Sequence, residues 1–388
     1  MILSFLMKLI IKIFLLTFFL CNSSYAINDF KYLKDEITGE TCKELYNYLA
    51  FPGFPKNQKQ PFILNTELIV EDINKVDGKN MDFDSLFTLY VYWKDPRIAD
   101  VLKKMNLYED TSKPAWLCDY EPISVWGSSR KIFDPIVEFY NRKNKPDFIK
   151  GRADWIEIFS NGTIQSRIRD TGKFKSQFNF KKFPFDEQVF EFQIYTEFPI
   201  SRTIFEPNRL MKNYEDTLFK TEGEDGINIP NWKVTKVKTS LDRYVEGDYT
   251  YEGLILKITA ERQSFYYIIK IILPILFILI ISWSVFWIHP REVDAKVNVT
   301  IVSLLALIAY NFIIDEEIPK LDYLTFLDAF IFTSYLFTGG STILCVYAHN
   351  RFIRYENSIN KVQYYAKYFG PILYVVIMMI TYWSFFLN

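Results

Sequence analysis

Histidine is almost missing from this chain: two among 388 residues, His289 and His349, both flanking hydrophobic runs. No His, Cys, Asp and Glu grouping has the spacing of a metal site. No Ser-His-Asp arrangement, P-loop or dinucleotide-binding turn occurs either. Those absences argue against an enzyme and imply neither metal nor cofactor. Cysteine is scarce as well, at four residues. Cys345 sits in a hydrophobic run and reads as packing. Cys42 and Cys118 would share an oxidising compartment, which leaves a disulfide between them open, since spacing cannot bring their Cα atoms within bridging reach. An excess of charge of one sign is lacking too. With 45 basic and 46 acidic residues the net charge is −1, which argues against a nucleic-acid partner.

What the chain has in quantity is apolar and aromatic surface, 49% and 18% of residues. Residues 1–26 set Lys8 and Lys12 among apolar runs and end in Ser24-Tyr25-Ala26. That is the form of a secretory signal peptide, with an uncleaved anchor as the alternative. Either reading sends the following portion out of the cytoplasm. Residues 27–61 form a mixed N-terminal extension. Residues 62–262 change texture to short alternating runs such as Leu86–Trp93, Asp154–Phe159 before Asn161-Gly162, and Val189–Ile194. Alternation with β-branched and aromatic enrichment predicts an antiparallel β-sandwich.

Residues 263–388 hold four hydrophobic segments, at 265–288, 295–314, 323–347 and 364–387, each able to span a layer of ~30 Å. The loop Asp315–Lys320 carries three acids against one lysine, whereas the other two connections carry Arg291, Lys296, Arg351, Arg354 and Lys361. By the positive-inside rule the sandwich faces outward and the chain is a multi-pass protein of the cell (inner) membrane.

The second segment is more than an anchor. Steps of three and four select Asp294, Asn298, Val302, Leu305, Ala309, Phe312 and Glu316. These share one helical face, since the period is ~3.6. The face has an acid at each end, an amide near one of them and apolar groups between. A lone lipid anchor gains nothing from this, whereas a helix lining a cation pore does: carboxylate rings concentrate cations and apolar rings dewet to close the path. Thr300, Ser303 and Asn311 mark a second, more polar face, which also suits helix–helix contact.

Several motifs then follow one another. They are Lys79-Asn80-Met81-Asp82-Phe83 leading to Trp93-Lys94-Asp95-Pro96-Arg97, then Phe183-Pro184-Phe185-Asp186-Glu187-Gln188. Glu261-Arg262 with Tyr266-Tyr267 and Pro274 comes next, and Ile318-Pro319-Lys320 last. On these residues, from about Phe62 to the C-terminus, the chain resembles the pentameric ligand-gated ion channels of the Cys-loop receptor superfamily in their prokaryotic form. Ser282–Trp287 and Ala309–Phe312 are most similar to the bacterial amine-gated members. The eukaryotic disulfide would join the positions of Ser176 and Phe190, neither of which is cysteine, and the large cytoplasmic insert is replaced by about Ala348–Lys361.

The resemblance implies an extracellular β-sandwich followed by a four-helix transmembrane bundle, assembled with four further copies as a homopentamer in the lipid bilayer. Leu305 would form the central constriction, with Ala309 and Phe312 above it, Asp294 at the cytoplasmic mouth and Glu316 at the outer ring. Monovalent cations would permeate. A small-molecule agonist, with a primary amine as the leading chemistry, would meet Glu138 and Phe139 in a first loop. Glu197 and Phe198 would meet it in a second, and Tyr244, Tyr249 and Tyr251 in a third. Asp77, Pro184, Phe185, Asp186, Arg262, Pro319 and Lys320 would couple sandwich to membrane, with Asp186 and Arg262 able to pair. Two rival readings stand beside this: a proton-gated cation channel, and a non-conducting membrane-anchored sensor that binds a solute.

Overall fold

The computed structural model describes residues 45, 48, 54, 60–111, 116–120, 132–143, 155–207, 227, 229–289, 291–314, 319–354 and 360–387. The expected signal peptide, nearly all of the 27–61 extension, Glu316, Cys42 and the Cys118 side chain lie outside the described residues.

Among the described residues ten strands make two sheets. The larger is ordered β3-β5-β6-β2-β1-β8, from β1 (Phe62–Asp77), β2 (Asp82–Lys94), β3 (Trp116–Tyr120), β5 (Trp155–Phe159), β6 (Thr163–Lys175) and β8 (Thr203–Pro207). The smaller is β4-β7-β10-β9, from β4 (Val137–Phe139), β7 (Glu187–Thr196), β9 (Trp232–Glu246) and β10 (Tyr249–Arg262). Burial alternates residue by residue along β7, as a strand half covered by a second sheet requires.

Between the sheets sits an aromatic core. Phe83, Phe87 and Phe174 from the large sheet meet Phe139, Phe190 and Phe192 from the small one. Their centroids lie 4.5 Å apart for Phe87–Phe139, 4.7 Å for Phe174–Phe192 and 5.2 Å for Phe83–Phe190. Edge-to-face pairs of this kind add about 0.5–1.5 kcal/mol each beyond area burial. Phe190 and Ser176, the two positions without cysteine, are held by these contacts and by a hydrogen bond from the Ser176 hydroxyl to the Val189 carbonyl.

One pairing departs from the antiparallel expectation. β1 runs parallel to β8, with Phe62 opposite Thr203 and Asn65 opposite Glu206. β8 reaches the large sheet by crossing from β7 in the small sheet, and such a crossover does not impose the reversal that a hairpin does. Glu252 of β10 then ties the sheets together: buried, it accepts from Phe205 N of β8 at 2.8 Å and from Arg243 Nε at 2.7 Å.

Among the described residues of the sandwich one short helix, α1 (Pro96–Lys104), interrupts the strands. Asp95 caps it, accepting from Arg97 N at 3.0 Å, with proline at the first helical position. Both features favour helix initiation.

Four further helices are long and apolar enough to cross a membrane: α2 (Phe265–Trp287), α3 (Val293–Ile314), α4 (Phe326–Arg354) and α5 (Asn360–Phe386). α4 starts three residues later than the hydrophobic run, because Thr325 and Asp328 form a capping box: Asp328 Oδ2 accepts from Thr325 N at 2.9 Å, and Thr325 Oγ1 accepts from Asp328 N at 3.1 Å. Trp283 of α2 stacks on Phe337 of α4 with centroids 4.0 Å apart. Its indole lies so close to α5 that a Cβ on Gly370 would sit 1.7 Å from it. α5 otherwise shows most of its surface outward, including Tyr368, Ile372, Ile380 and Trp383.

Candidate functional site

The bundle positions α3 in a way that separates its two faces. Val302, Leu305 and Phe312 are 65%, 60% and 68% exposed, whereas Lys296, Thr300, Ser303 and Leu307 are 1%, 0%, 4% and 0%. Asp294, Asn298 and Ala309 are exposed too. At about 100° per residue these residues span roughly 80° of arc, which Ala295, Ile301 and Ile308, exposed as well, widen to roughly 140°, and the buried set lies opposite. The Thr300 and Ser303 hydroxyls turn back to the carbonyls of Val297, at 3.1 Å, and Val299, at 2.8 Å. Two of the three residues of the alternative face are therefore internal packing, and Asn311 is half-buried. Lys296, the cation nearest Asp294 in sequence, is turned away from the exposed face.

A second cluster occupies the solvent side of the small sheet. Register aligns Glu138 of β4 with Tyr195 of β7, Tyr195 with Gly253 of β10, and Gly253 with Asp242 of β9. Residues directly opposed in neighbouring strands share a face, so two carboxylates flank one tyrosine. Tyr195 donates its hydroxyl to Asp242 Oδ2 at 2.7 Å. Tyr140 and Tyr244 stand edge-on to it at 5.5 and 5.4 Å, and Tyr244 stacks on Tyr251 at 5.2 Å. Burial pushes the Tyr195 phenol well above its usual range, reinforced by the bond to Asp242, so the hydroxyl stays protonated. Tyr244 is raised for the same first reason, with the charge of Glu246 adding to it.

The sequence-predicted ligand residues divide accordingly. Glu138, Tyr244 and Tyr251 come together on this face, and Tyr249 stands 58% exposed near the β9–β10 tip. Phe139 instead turns inward against Phe87 and Phe174. Phe198 packs on Phe133, centroids 5.2 Å apart, in a separate group with Phe62. Glu197 is exposed just past the end of β7. Tyr140, Tyr195 and Asp242 were not legible as binding residues, since only the four-strand register unites them.

The third cluster joins sandwich to membrane. Arg262, the last residue of β10, forms a two-pronged ion pair with Asp186, Nε to Oδ1 at 2.7 Å and Nη2 to Oδ2 at 3.0 Å. Asp186 is buried, and Gln188 also donates to it. The guanidinium lies 4.2 Å from the Trp232 ring centroid and 5.0 Å from that of Phe183. Around it, Ser264 donates to Pro184 O, Phe326 N donates to Lys181 O at 2.9 Å, and Tyr323 accepts from Phe180 N at 3.1 Å. Phe185 rests against Phe326 and Phe386. Asp77 serves its own turn. Burial raises its carboxyl, but hydrogen bonds from Asn80 and the nearby Lys75 and Lys173 hold it below the usual range. Pro319 is half-buried and Lys320 exposed.

On the opposite sheet, Glu67 of β1 is only 9% exposed, and burial raises its carboxyl. Glu71, four residues on, is held down to about 2 by hydrogen bonds from Arg169 and Thr88.

Comparison with known proteins agrees with this architecture. Residues 34–264 match the neurotransmitter-gated ion-channel ligand binding domain, and residues 271–386 match the neurotransmitter-gated ion-channel transmembrane region. A proton-gated ion channel of Gloeobacter violaceus is 28% identical over 287 residues, 73% of this chain and 72% of that one. The human gamma-aminobutyric acid receptor subunit rho-3 is 22% identical over 296 residues, 75% of this chain and 58% of the receptor subunit. A gamma-aminobutyric acid receptor subunit beta of Lymnaea stagnalis is 20% identical over 290 residues, 73% and 55%. The motif resemblance points toward amine-gated bacterial members, whereas the bacterial relative found is named for proton gating.

The Arg262–Asp186 geometry makes a stability prediction. Arg262→Ala strands a buried carboxylate and costs about 3–5 kcal/mol. Asp186→Asn added to Arg262→Ala removes that charge, so the double variant melts higher than Arg262→Ala alone in detergent-solubilised protein. Additive losses would contradict the pairing as the source of stability.

Proposed function

The chain belongs to the neurotransmitter-gated ion-channel family, whose members are membrane channels rather than enzymes and assemble as pentamers, and we propose that five copies of it surround a cation pore opened by a small cationic agonist. The observation that carries the pore assignment is the exposed face of α3. Burying threonine, serine and lysine against the bundle and leaving Val302, Leu305, Ala309 and Phe312 uncovered would also suit lipid, but an uncovered Asp294 and Asn298 on that same face would not, which supports a face that meets water. Five such faces around an axis supply a carboxylate ring at Asp294, an amide ring at Asn298 and hydrophobic rings above. Leu305 and Phe312 are the bulkiest of these and form the closed gate. Lys296, buried away from it, leaves the field of Asp294 unopposed.

The tyrosine face supports the agonist assignment. Cation–π contact with tyrosine is worth roughly 0.5–2 kcal/mol, and Glu138 and Asp242 supply countercharges on either side. An ammonium group fits that combination better than an anion does. Binding opens the channel only through higher affinity for the open form, and the Arg262–Asp186 junction with Pro184, Phe185 and the Pro319-Lys320 turn transmits the bias to α2 and α3. A modest preference repeated over five sites yields cooperative opening.

Acid is the second stimulus that particular observations favour. Glu67 is buried with its carboxyl already raised, and a bacterial relative is named proton-gated. The sign follows from linkage. A folded carboxyl raised above its unfolded value binds its proton more tightly, so stability is greatest at acid pH and falls as pH rises through the raised value.

Two measurements separate the stimuli. Voltage clamp of cells expressing the chain, with propylamine applied in sodium and chloride gradients, yields current whose reversal follows sodium. Glu138→Gln raises the half-maximal propylamine concentration about tenfold, or about 1.4 kcal/mol, without moving the reversal potential. Reversal that follows chloride contradicts the pore assignment, and current evoked by acid alone moves the stimulus to protons. Glu67→Gln raises the melting temperature at pH 7.5 relative to pH 5, narrowing the gap shown by the unaltered protein. An unchanged gap removes Glu67 from the acid response.

A further inference from the structure

The β9–β10 hairpin carries two walls of the tyrosine face, yet among the described residues β9 is an edge strand, paired only with β10. The outer end of the hairpin is exposed, with Val245 of β9 at 72% and Tyr249 of β10 at 58%. Few buried contacts and an unpaired edge make such a ribbon the first part of a sheet to open. Something must otherwise hold Tyr244 on the same face as Glu138, three strands away.

One side chain spans that distance. The Tyr195 ring crosses β10 at Gly253, where a Cβ would lie 2.2 Å from its Cε1. Any other residue there would lift the ring from the sheet. Having crossed, the hydroxyl reaches Asp242 Oδ2 at 2.7 Å. The ring edges meet Tyr140 on the β4 side and Tyr244 on the β9 side. Glu138, Tyr195, Gly253 and Asp242 thus form one row across all four strands.

We propose that Tyr195 is a strap: it binds the β9 edge to β7 over Gly253 through Asp242, and so holds the hairpin in the geometry that presents Tyr244 and Tyr251 beside Glu138. The functional half of this inference rests on the agonist reading above; the mechanical half does not. Tyr195 is a positioning residue, acting on the agonist through the hairpin. Because the strapped hairpin is the form that presents these tyrosines, occupancy favours the strap by the same factor as the strap favours occupancy.

Hydrogen–deuterium exchange on purified full-length protein in lipid nanodiscs, without agonist, tests the mechanical half. In Tyr195→Phe the amides of Leu241–Glu246 exchange about tenfold faster, while those of β7 do not change. Asp242→Ala and Gly253→Ala reproduce the effect. Asp242→Asn, which keeps an acceptor, restores slow exchange, and Tyr195→Phe combined with Asp242→Ala is no faster than either alone. Unchanged hairpin exchange in Tyr195→Phe overturns the strap, whatever the channel's stimulus.

Propylamine titration of the same variants in voltage clamp tests the functional half. Tyr195→Phe and Gly253→Ala, which leave both carboxylates in place, raise the half-maximal concentration about fivefold or more, and the reversal potential stays fixed. A loosened hairpin with an unshifted propylamine response overturns the positioning role. Propylamine silence in every variant, with acid still opening the channel, refutes the amine reading while the exchange result stands by itself.

Discussion

The contact on which both halves of the molecule depend is the ion pair between Arg262 and Asp186. Arg262 ends the last strand and sits three residues before the first membrane helix, so its backbone belongs to one domain and its next turn to the other. Its guanidinium meets the Asp186 carboxylate at 2.7 Å and lies over Trp232. Both charges are largely out of water, where an unpaired member would be costly. That cost fixes the Phe183–Asp186 loop against the start of α2, and through Phe185 and Lys181 against the start of α4. A pull on the sandwich therefore reaches the bundle through a rigid joint and not through a flexible linker.

The same logic of paired polar groups runs outward to the sheet. Glu252 ties β10 to β8, Tyr195 ties β7 to β9, and the aromatic core between the sheets leaves little freedom for either to move by itself. The tyrosine face thus lies on a stiff platform with one compliant part, the β9–β10 ribbon. The bundle repeats the pattern: α3 is fixed on its polar side and uncovered on the side that faces other copies in the proposed assembly.

Much of this was legible in the residues. Period-two alternation marked the strands, four apolar runs marked the membrane helices, and steps of three and four along α3 found the face that the bundle leaves exposed. What escaped was information carried by register. Phe139 and Glu138 are neighbours, yet strand alternation sends one into the core and the other to solvent. Tyr140, Tyr195 and Asp242 stand far apart in sequence and meet only through pairings across four strands. The Thr325/Asp328 capping box was readable in principle, but it begins within the apolar run at 323–347 and the run masked it. The parallel β1–β8 pair has no local signature at all, since it follows from a crossover between sheets.

The central claim is that the exposed face of α3 lines the ion path, and cysteine accessibility tests it most directly. In a Cys345→Ala background, single cysteines replace Val302, Leu305 and Ala309 on that face, and Thr300 and Ser303 on the opposite one. A cationic methanethiosulfonate reagent is then applied during channel activity. The account predicts irreversible block at Val302→Cys, Leu305→Cys and Ala309→Cys, with no effect at Thr300→Cys or Ser303→Cys. Block at the latter pair, with the former three insensitive, would contradict it.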